Sequence, residues 1–173
     1  MKILRHKLLL IALACTAPVV LASLAYFYGW APGEAGNYGE LIEPRALSGP
    51  PFDALRGKWV LVSFDAPQCD AWCEKKLYYL RQVRRAQGKN MERIERLWVL
   101  TSHGAPRPEL LQAFEGTRVS VMQPPATSFP GHAIDHIYVV DPLGNLMMRY
   151  PRDADPSRMR KDLERLLRYS RVG

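Results

Sequence analysis

Between Trp59 and Cys73 the chain passes from Trp59-Val60-Leu61-Val62-Ser63-Phe64 through Asp65-Ala66-Pro67-Gln68 to two cysteines, Cys69 and Cys73. The first run is short, mostly apolar and rich in β-branched and aromatic residues, the pattern of a strand covered on both faces. Pro67 ends it. From Asp70 the apolar positions change period: Trp72, Leu77, Leu80 and Val83 recur at helical spacing, with Glu74, Lys75, Arg81 and Arg84 between them. Cys69 therefore falls at a helix entrance and Cys73 one turn in, a separation that puts both sulfurs on one side. Free N–H groups and partial positive charge at a helix N-terminus favour thiolate, so this is a reactive position.

Cysteine usage narrows the chemistry. Of three cysteines, Cys15 lies in an apolar amino-terminal segment, and only the close pair remains for the folded part. Two cysteines do not make a disulfide scaffold, which leaves redox work or metal binding. The formal net charge is +7, of which Lys2, Arg5 and Lys7 supply three, leaving a mildly basic remainder at +4. Those basic residues are scattered over helix faces without interleaved aromatics, which excludes a nucleic-acid module.

The chain divides into a cytoplasmic start at 1–7, a membrane anchor at 8–30, a Gly-rich linker at 31–39 and one folded domain at 40–173. Leu8 to Trp30 carries no charged residue and at about 1.5 Å per residue crosses a bilayer core of roughly 30 Å. Basic residues precede it and none follow in Gly33-Glu34-Ala35-Gly36-Asn37. The expectation is an amino terminus in the cytoplasm and a domain in the periplasm, on a single pass through a bacterial inner membrane. Tyr26, Tyr28 and Trp30 mark the far interface. A signal peptide cut near Ala12-Leu13-Ala14, or lipidation at Cys15, would instead leave a strongly apolar stretch on the mature protein.

Within the domain, residues 41–55 read as an irregular strand or hairpin and Trp59–Phe64 as the central strand. A helix follows to about Ala86, then a strand at Leu97–Thr101, a loop with His103, a short helix at Glu109–Glu115 and a strand at Arg118–Met122. A proline loop at 123–131 leads to a strand entered at Ile134 and running to Val140. Asp141-Pro142-Leu143-Gly144-Asn145 is a hairpin turn into Leu146–Tyr150, and an amphipathic helix starts near Asp155-Pro156-Ser157. This order describes an α/β, thioredoxin-like domain with a central mixed sheet flanked by helices. Two thiolates alone fit a disulfide cycle or a soft metal. A third ligand is sought at a strand mouth, where His136 is the candidate, His132 the reserve, His103 weaker, and His6 lies on the cytoplasmic side.

These residues resemble the Sco or SenC proteins, membrane-anchored thioredoxin-like copper chaperones of cytochrome c oxidase assembly. The resemblance rests on Leu55-Arg56-Gly57-Lys58-Trp59 through Phe64, the Cys-x-x-x-Cys spacing, Asp135-His136, and Tyr138-Val139-Val140-Asp141-Pro142-Leu143-Gly144. It implies that Cys69, Cys73 and His136 bind copper as Cu(I), with Asp135 orienting the histidine from behind. It further implies delivery to the dinuclear centre of oxidase subunit II, or reduction of that centre's cysteines by Cys69 and Cys73. Asp70 and Glu74 stand where family members carry proline, residues 101–108 replace an acidic segment, and the stretch before Asp135 is short. A periplasmic thiol-disulfide oxidoreductase without a metal is the alternative.

Overall fold

The computed structural model describes residues 2–28, 36–121, 129–170 and 172. It divides into two compact units, Met1–Gly36 and Asn37–Gly173. In the first, helix α1 (Lys2–Phe27) contains Pro18 and buries little of its apolar surface. Its segment Arg5–Phe27 is long and apolar enough to cross a membrane. Residues 29–30 of the expected anchor, 31–35 of the expected linker, 122 at the end of the expected fourth strand and 123–128 of the proline loop lie outside the described residues.

The second unit is a thioredoxin-like α/β domain. Its elements are β1 (Glu40–Ala46), β2 (Trp59–Asp65), α2 (Ala71–Arg85), β3 (Ile94–Leu100), α3 (Pro108–Ala113), β4 (Thr117–Val121), β5 (Ile137–Val140), β6 (Asn145–Tyr150) and α4 (Pro156–Tyr169). The sheet order is β1-β6-β5-β2-β3-β4. β2, β3 and β4 run parallel, whereas β5, β6 and β1 are antiparallel neighbours. β2 is buried at every residue, as a strand with neighbours on both sides and cover on both faces must be.

Side-chain alternation divides the core in two. Trp59, Leu61, Ile94, Trp98, Ile137 and Val139 face α2 and α4, where Leu77, Leu80, Met159, Leu163 and Leu167 meet them. Val60, Val62, Phe64, Leu97, Val99, Tyr138 and Val140 face the other way, onto Leu47, Phe52, Leu55 and Phe129. The domain's start is fastened to α4 by the buried Asp162, whose carboxylate accepts from the backbone N–H of Tyr38 at 3.0 Å and of Gly39 at 2.8 Å. Gly39 is needed there because a Cβ would come within 2.6 Å of the Met148 sulfur and 2.9 Å of the Tyr150 ring.

From Trp59 onward, two strand starts shift by three residues from the sequence expectation and one element is added; the other bounds move by a residue or two. β3 begins three residues earlier, at Ile94 rather than Leu97, because it pairs in register with β2 from Trp59↔Ile94 onward despite Glu95 and Arg96. The strand expected from Ile134 begins only at Ile137, since residues 133–135 form a 3-10 turn. A 3-10 turn at Gly88–Arg93, not expected from the sequence, carries the chain from α2 into β3.

Leu163 is fully buried between α4 and the sheet. Leu163→Ala should cost about 2–5 kcal/mol, by lost transfer energy and the cavity left behind. Urea unfolding followed by circular dichroism should record this as a lower midpoint with an unchanged slope.

Candidate functional site

The two cysteines sit where β2 hands over to α2. Asp70 caps the helix, its carboxylate accepting from the Cys73 N–H at 2.9 Å. Cys69 precedes the cap with φ of +48°, in the left-handed region that costs a residue bearing a Cβ roughly 1 kcal/mol. This turn brings the Cys69 and Cys73 Cα atoms to 5.1 Å, and the sulfurs are joined as a disulfide. Both residues are buried, Cys69 slightly less than Cys73.

Beside the disulfide is a cavity of about 320 Å³, lined by Asp65, Gln68, Asp70, Trp72, Thr101 and Asp135 among others. Its inner wall holds a buried ion pair. Lys76, one helical turn beyond Cys73, places its ammonium 2.8 Å from Asp65 Oδ2, with side-chain exposures of 1% and 9%. The hydrogen bonds of the ammonium go to the backbone carbonyls of Phe64 and Ile134. Burial pushes the Asp65 carboxyl up to about 6, against the opposing pull of Lys76. Burial likewise lowers Lys76, against the attraction of Asp65.

The rim is charged and aromatic. Trp72 has Lys75 Nζ 5.1 Å and the Arg152 guanidinium 5.6 Å from its ring centre. Arg152 also lies 3.3 Å from Asp135. The segment after β3 closes the rim. Thr101 donates its N–H to the Asp65 carbonyl at 3.0 Å, and Arg107 pairs with Glu74 at 2.8 Å.

The structure joins Cys69 to Cys73 and places Asp135 on the same cavity, but it does not bring His136 there. His136 is extended and shares the sheet face of Tyr138, its ring 5.9 Å from the tyrosine's. The sulfurs belong to the opposite face, with Ile137 and Val139. Alternation along the strand is the reason: one residue of offset sends neighbouring side chains to opposite sides. The His136 Nδ1–H donates to the Tyr150 carbonyl at 2.9 Å, which leaves Nε2 towards Gly131. His132 and His103 are exposed loop residues outside the cavity lining. Among the described residues no group of three or more His, Cys, Asp or Glu side chains is gathered as a metal site. Asp65 and Lys76 were not singled out from the sequence. Their signals were a carboxylate ending a buried strand, and a lysine one residue before Leu77 on the buried side of α2.

Fold and site together define a thioredoxin-like protein whose disulfide-bonded cysteine pair stands at the carboxyl end of a central strand. Residues 59–170 match the family described as transmembrane-like, thioredoxin-like, C-terminal domain, and the chain belongs to that family. No curated protein matches the chain. The fold is similar to that of apo Sco1 from Thermus thermophilus, at 19% identity and TM-score 0.53, covering 79% of this chain and 98% of that one. It is also similar to Arabidopsis thaliana ScoI with copper bound, at 14% identity and TM-score 0.53, covering 69% and 89%. A third is Bradyrhizobium japonicum ScoI with copper bound, at 16% identity and TM-score 0.50, covering 73% and 98%. At these identities the likeness is one of fold.

Lys76→Met should destabilise the domain by about 3–5 kcal/mol at pH 7.5, because it leaves the Asp65 carboxylate buried without its partner. Lys76 holds the Asp65 carboxyl down to about 6; without it burial raises that carboxyl further, so the variant's folded state takes up a proton and regains stability as pH falls from 7.5. Urea midpoints at pH 7.5 and 5.0 should show the variant closing on the wild type in acid. Adding Asp65→Asn should recover part of the loss at the higher pH.

Proposed function

We propose that this chain is a membrane-anchored dithiol protein serving assembly of the dinuclear copper (CuA) centre of cytochrome c oxidase, with thiol-disulfide exchange at Cys69 and Cys73 as its principal chemistry. The observation that carries the reading is the Cys69–Cys73 disulfide at the mouth of a cavity that also holds the Asp65 carboxyl. In this proposal α1 holds the domain at the periplasmic face, the amino terminus stays cytoplasmic, and the partner is oxidase subunit II or another copper protein.

The exchange proceeds in two displacements. The Cys69 thiolate, the less buried sulfur, attacks one sulfur of the partner's disulfide, forming a mixed disulfide and releasing one partner thiolate. Cys73 then gives up its proton, with ionised Asp65 as acceptor, and attacks the Cys69 sulfur. This closes the intramolecular disulfide and releases the second partner sulfur, which takes up a proton. Two electrons pass to the partner, whose disulfide becomes two thiols, and a second dithiol protein must reduce Cys69–Cys73 for the next cycle. Asp65 suits the acceptor's role because a carboxyl near 6 is ionised at neutral pH and returns a proton readily.

A second reading has the reduced sulfurs carry Cu(I) as cargo. It is favoured by the copper-bound ScoI folds to which the domain is similar and by the chemistry of the ligands, since two thiolates suit soft Cu(I). His136 enters as third ligand only if residues 131–136 rearrange on reduction, breaking the bond from Nδ1 to the Tyr150 carbonyl.

The test uses the full chain in neutral detergent, reduced and kept anaerobic. It should reduce the disulfide of an oxidised subunit II copper domain, and Cys69→Ser and Cys73→Ser should each abolish turnover. A parallel titration should find one Cu(I) per chain, lost in both serine variants and weakened in His136→Ala if that rearrangement occurs. Exchange without Cu(I) binding would leave the metal-free oxidoreductase, and absence of both would end the proposal.

Asp70→Asn should keep the helix cap, since asparagine caps as well as aspartate, while removing a negative charge beside the sulfurs. Equilibration against glutathione, read by alkylation and mass spectrometry, should place the variant's reduction potential at a less negative value than the wild type's.

A further inference from the structure

At the other end of α2 from the cysteines, five arginines gather around a second cavity of about 690 Å³. Arg96 is its centre. Its side chain occupies the β3 row of Ile94 and Trp98, the row that faces the helices, and the residue is only 3% exposed. A guanidinium at a core position must be fully partnered or it costs stability. Here Nη2 donates to the Glu115 carbonyl at 2.6 Å, while Nε and Nη1 have no partner among the described residues.

The surroundings deepen the deficit. Arg81 and Arg84 reach the same cavity from α2, each donating to a backbone carbonyl, Ala113 at 2.6 Å and Ile94 at 2.7 Å respectively. The Arg81 Nε is buried without a partner. Arg85 is exposed at the edge; two glutamates, Glu95 and Glu115, also line the cavity, and Glu95 is engaged by Arg118 at 3.4 Å. Burial, then the charges of Arg84, Arg81 and Arg85, lower the Arg96 guanidinium to about 10, and the opposing pull of Glu95 only partly offsets them. Gly116, at φ of +78°, makes the room: a Cβ there would stand 3.1 Å from Arg96 Nη2.

We propose that this cavity is an anion site that takes a phosphate group, held by Arg96 from beneath and by Arg81, Arg84 and Arg85 from α2. Guanidinium forks match phosphate oxygens in geometry, and an oxyanion supplies the acceptors that the buried nitrogens lack. The site is distinct from the disulfide cavity, with which it shares no residue. The phosphate arrives free in solution or as the headgroup of an anionic lipid, and the experiment separates these sources.

Calorimetric titration of the full chain in neutral detergent, with ionic strength held constant by sodium chloride, should show saturable one-to-one binding of inorganic phosphate. Arg85→Gln, at an exposed position, and Arg96→Met should each weaken it by about tenfold or more. Arg152→Gln, at the rim of the other cavity, should leave it unchanged. Dihexanoyl phosphatidic acid, compared with dihexanoyl phosphatidylcholine as control, provides the second arm. Tighter binding of phosphatidic acid than of phosphate assigns the lipid headgroup, and equal or weaker binding assigns free phosphate. Absence of saturable binding by both probes overturns the proposal, as does equal loss in Arg85→Gln and Arg152→Gln.

Discussion

The buried ammonium of Lys76 is the interaction on which the chemistry-bearing end of the domain depends. It joins three segments that are far apart in sequence: the end of β2 through the Phe64 carbonyl and Asp65, the first turns of α2 through its own backbone, and the 133–135 turn through the Ile134 carbonyl. A charge with 1% side-chain exposure survives in a protein interior only when partners replace its water. Those same partners fix where the cysteine helix stands against the strand and hold Asp135 at the rim of the cavity. A hydrophobic residue of equal volume would fill the space, but it would not specify the position of the 133–135 turn.

The division of the sheet into two faces then governs which residues work together. Cys69, Cys73, Asp65 and Lys76 share the helix-covered side, so the proton transfer and disulfide exchange proposed above would have a common cavity. His136 belongs to the other side, where its neighbours are Tyr138, Gly131 and the backbone of Tyr150. Its imidazole is held by a main-chain acceptor, an arrangement that fixes the tautomer and leaves Nε2 as the available donor atom for a metal. The disulfide form thus separates the sulfurs from the imidazole, and any joint use of them requires movement in the segment between Gly131 and His136.

What was legible in the sequence follows from period and composition. The strand at Trp59, the helix after Asp70, the hairpin around Asp141–Asn145 and the final helix all declare themselves by apolar spacing and turn residues, and each is present. Polar residues in buried positions were not legible. Lysine, arginine and aspartate are mostly exposed, so nothing in the sequence marks Lys76, Arg96 and Asp162 as buried, yet all three are. Their partners are backbone groups or a distant side chain, which no local pattern announces. Arg96 also hid the first half of β3, since Glu95 and Arg96 interrupt the apolar run that register with β2 nonetheless extends to Ile94. For His136 the place at a strand mouth was legible, but the face it takes depends on where the 3-10 turn hands over to β5.

Charge around the sulfurs bears on which of the two chemistries the pair serves. A bare helix N-terminus stabilises an adjacent thiolate by its free N–H groups and partial positive charge. Here Asp70 takes the Cys73 N–H for its own carboxylate, so part of that stabilisation goes to the cap rather than to sulfur. Asp65 and Asp135 add two further carboxylates on the cavity, opposed by the buried Lys76 and by Arg152, whose side chain is 63% exposed and therefore well screened. Negative surroundings disfavour a second negative charge at the cysteines and so favour the disulfide over the dithiolate. A couple that prefers its oxidised form gives electrons away. In the proposed exchange, Asp70 thus weights the pair towards giving electrons to a partner's cysteines over holding metal.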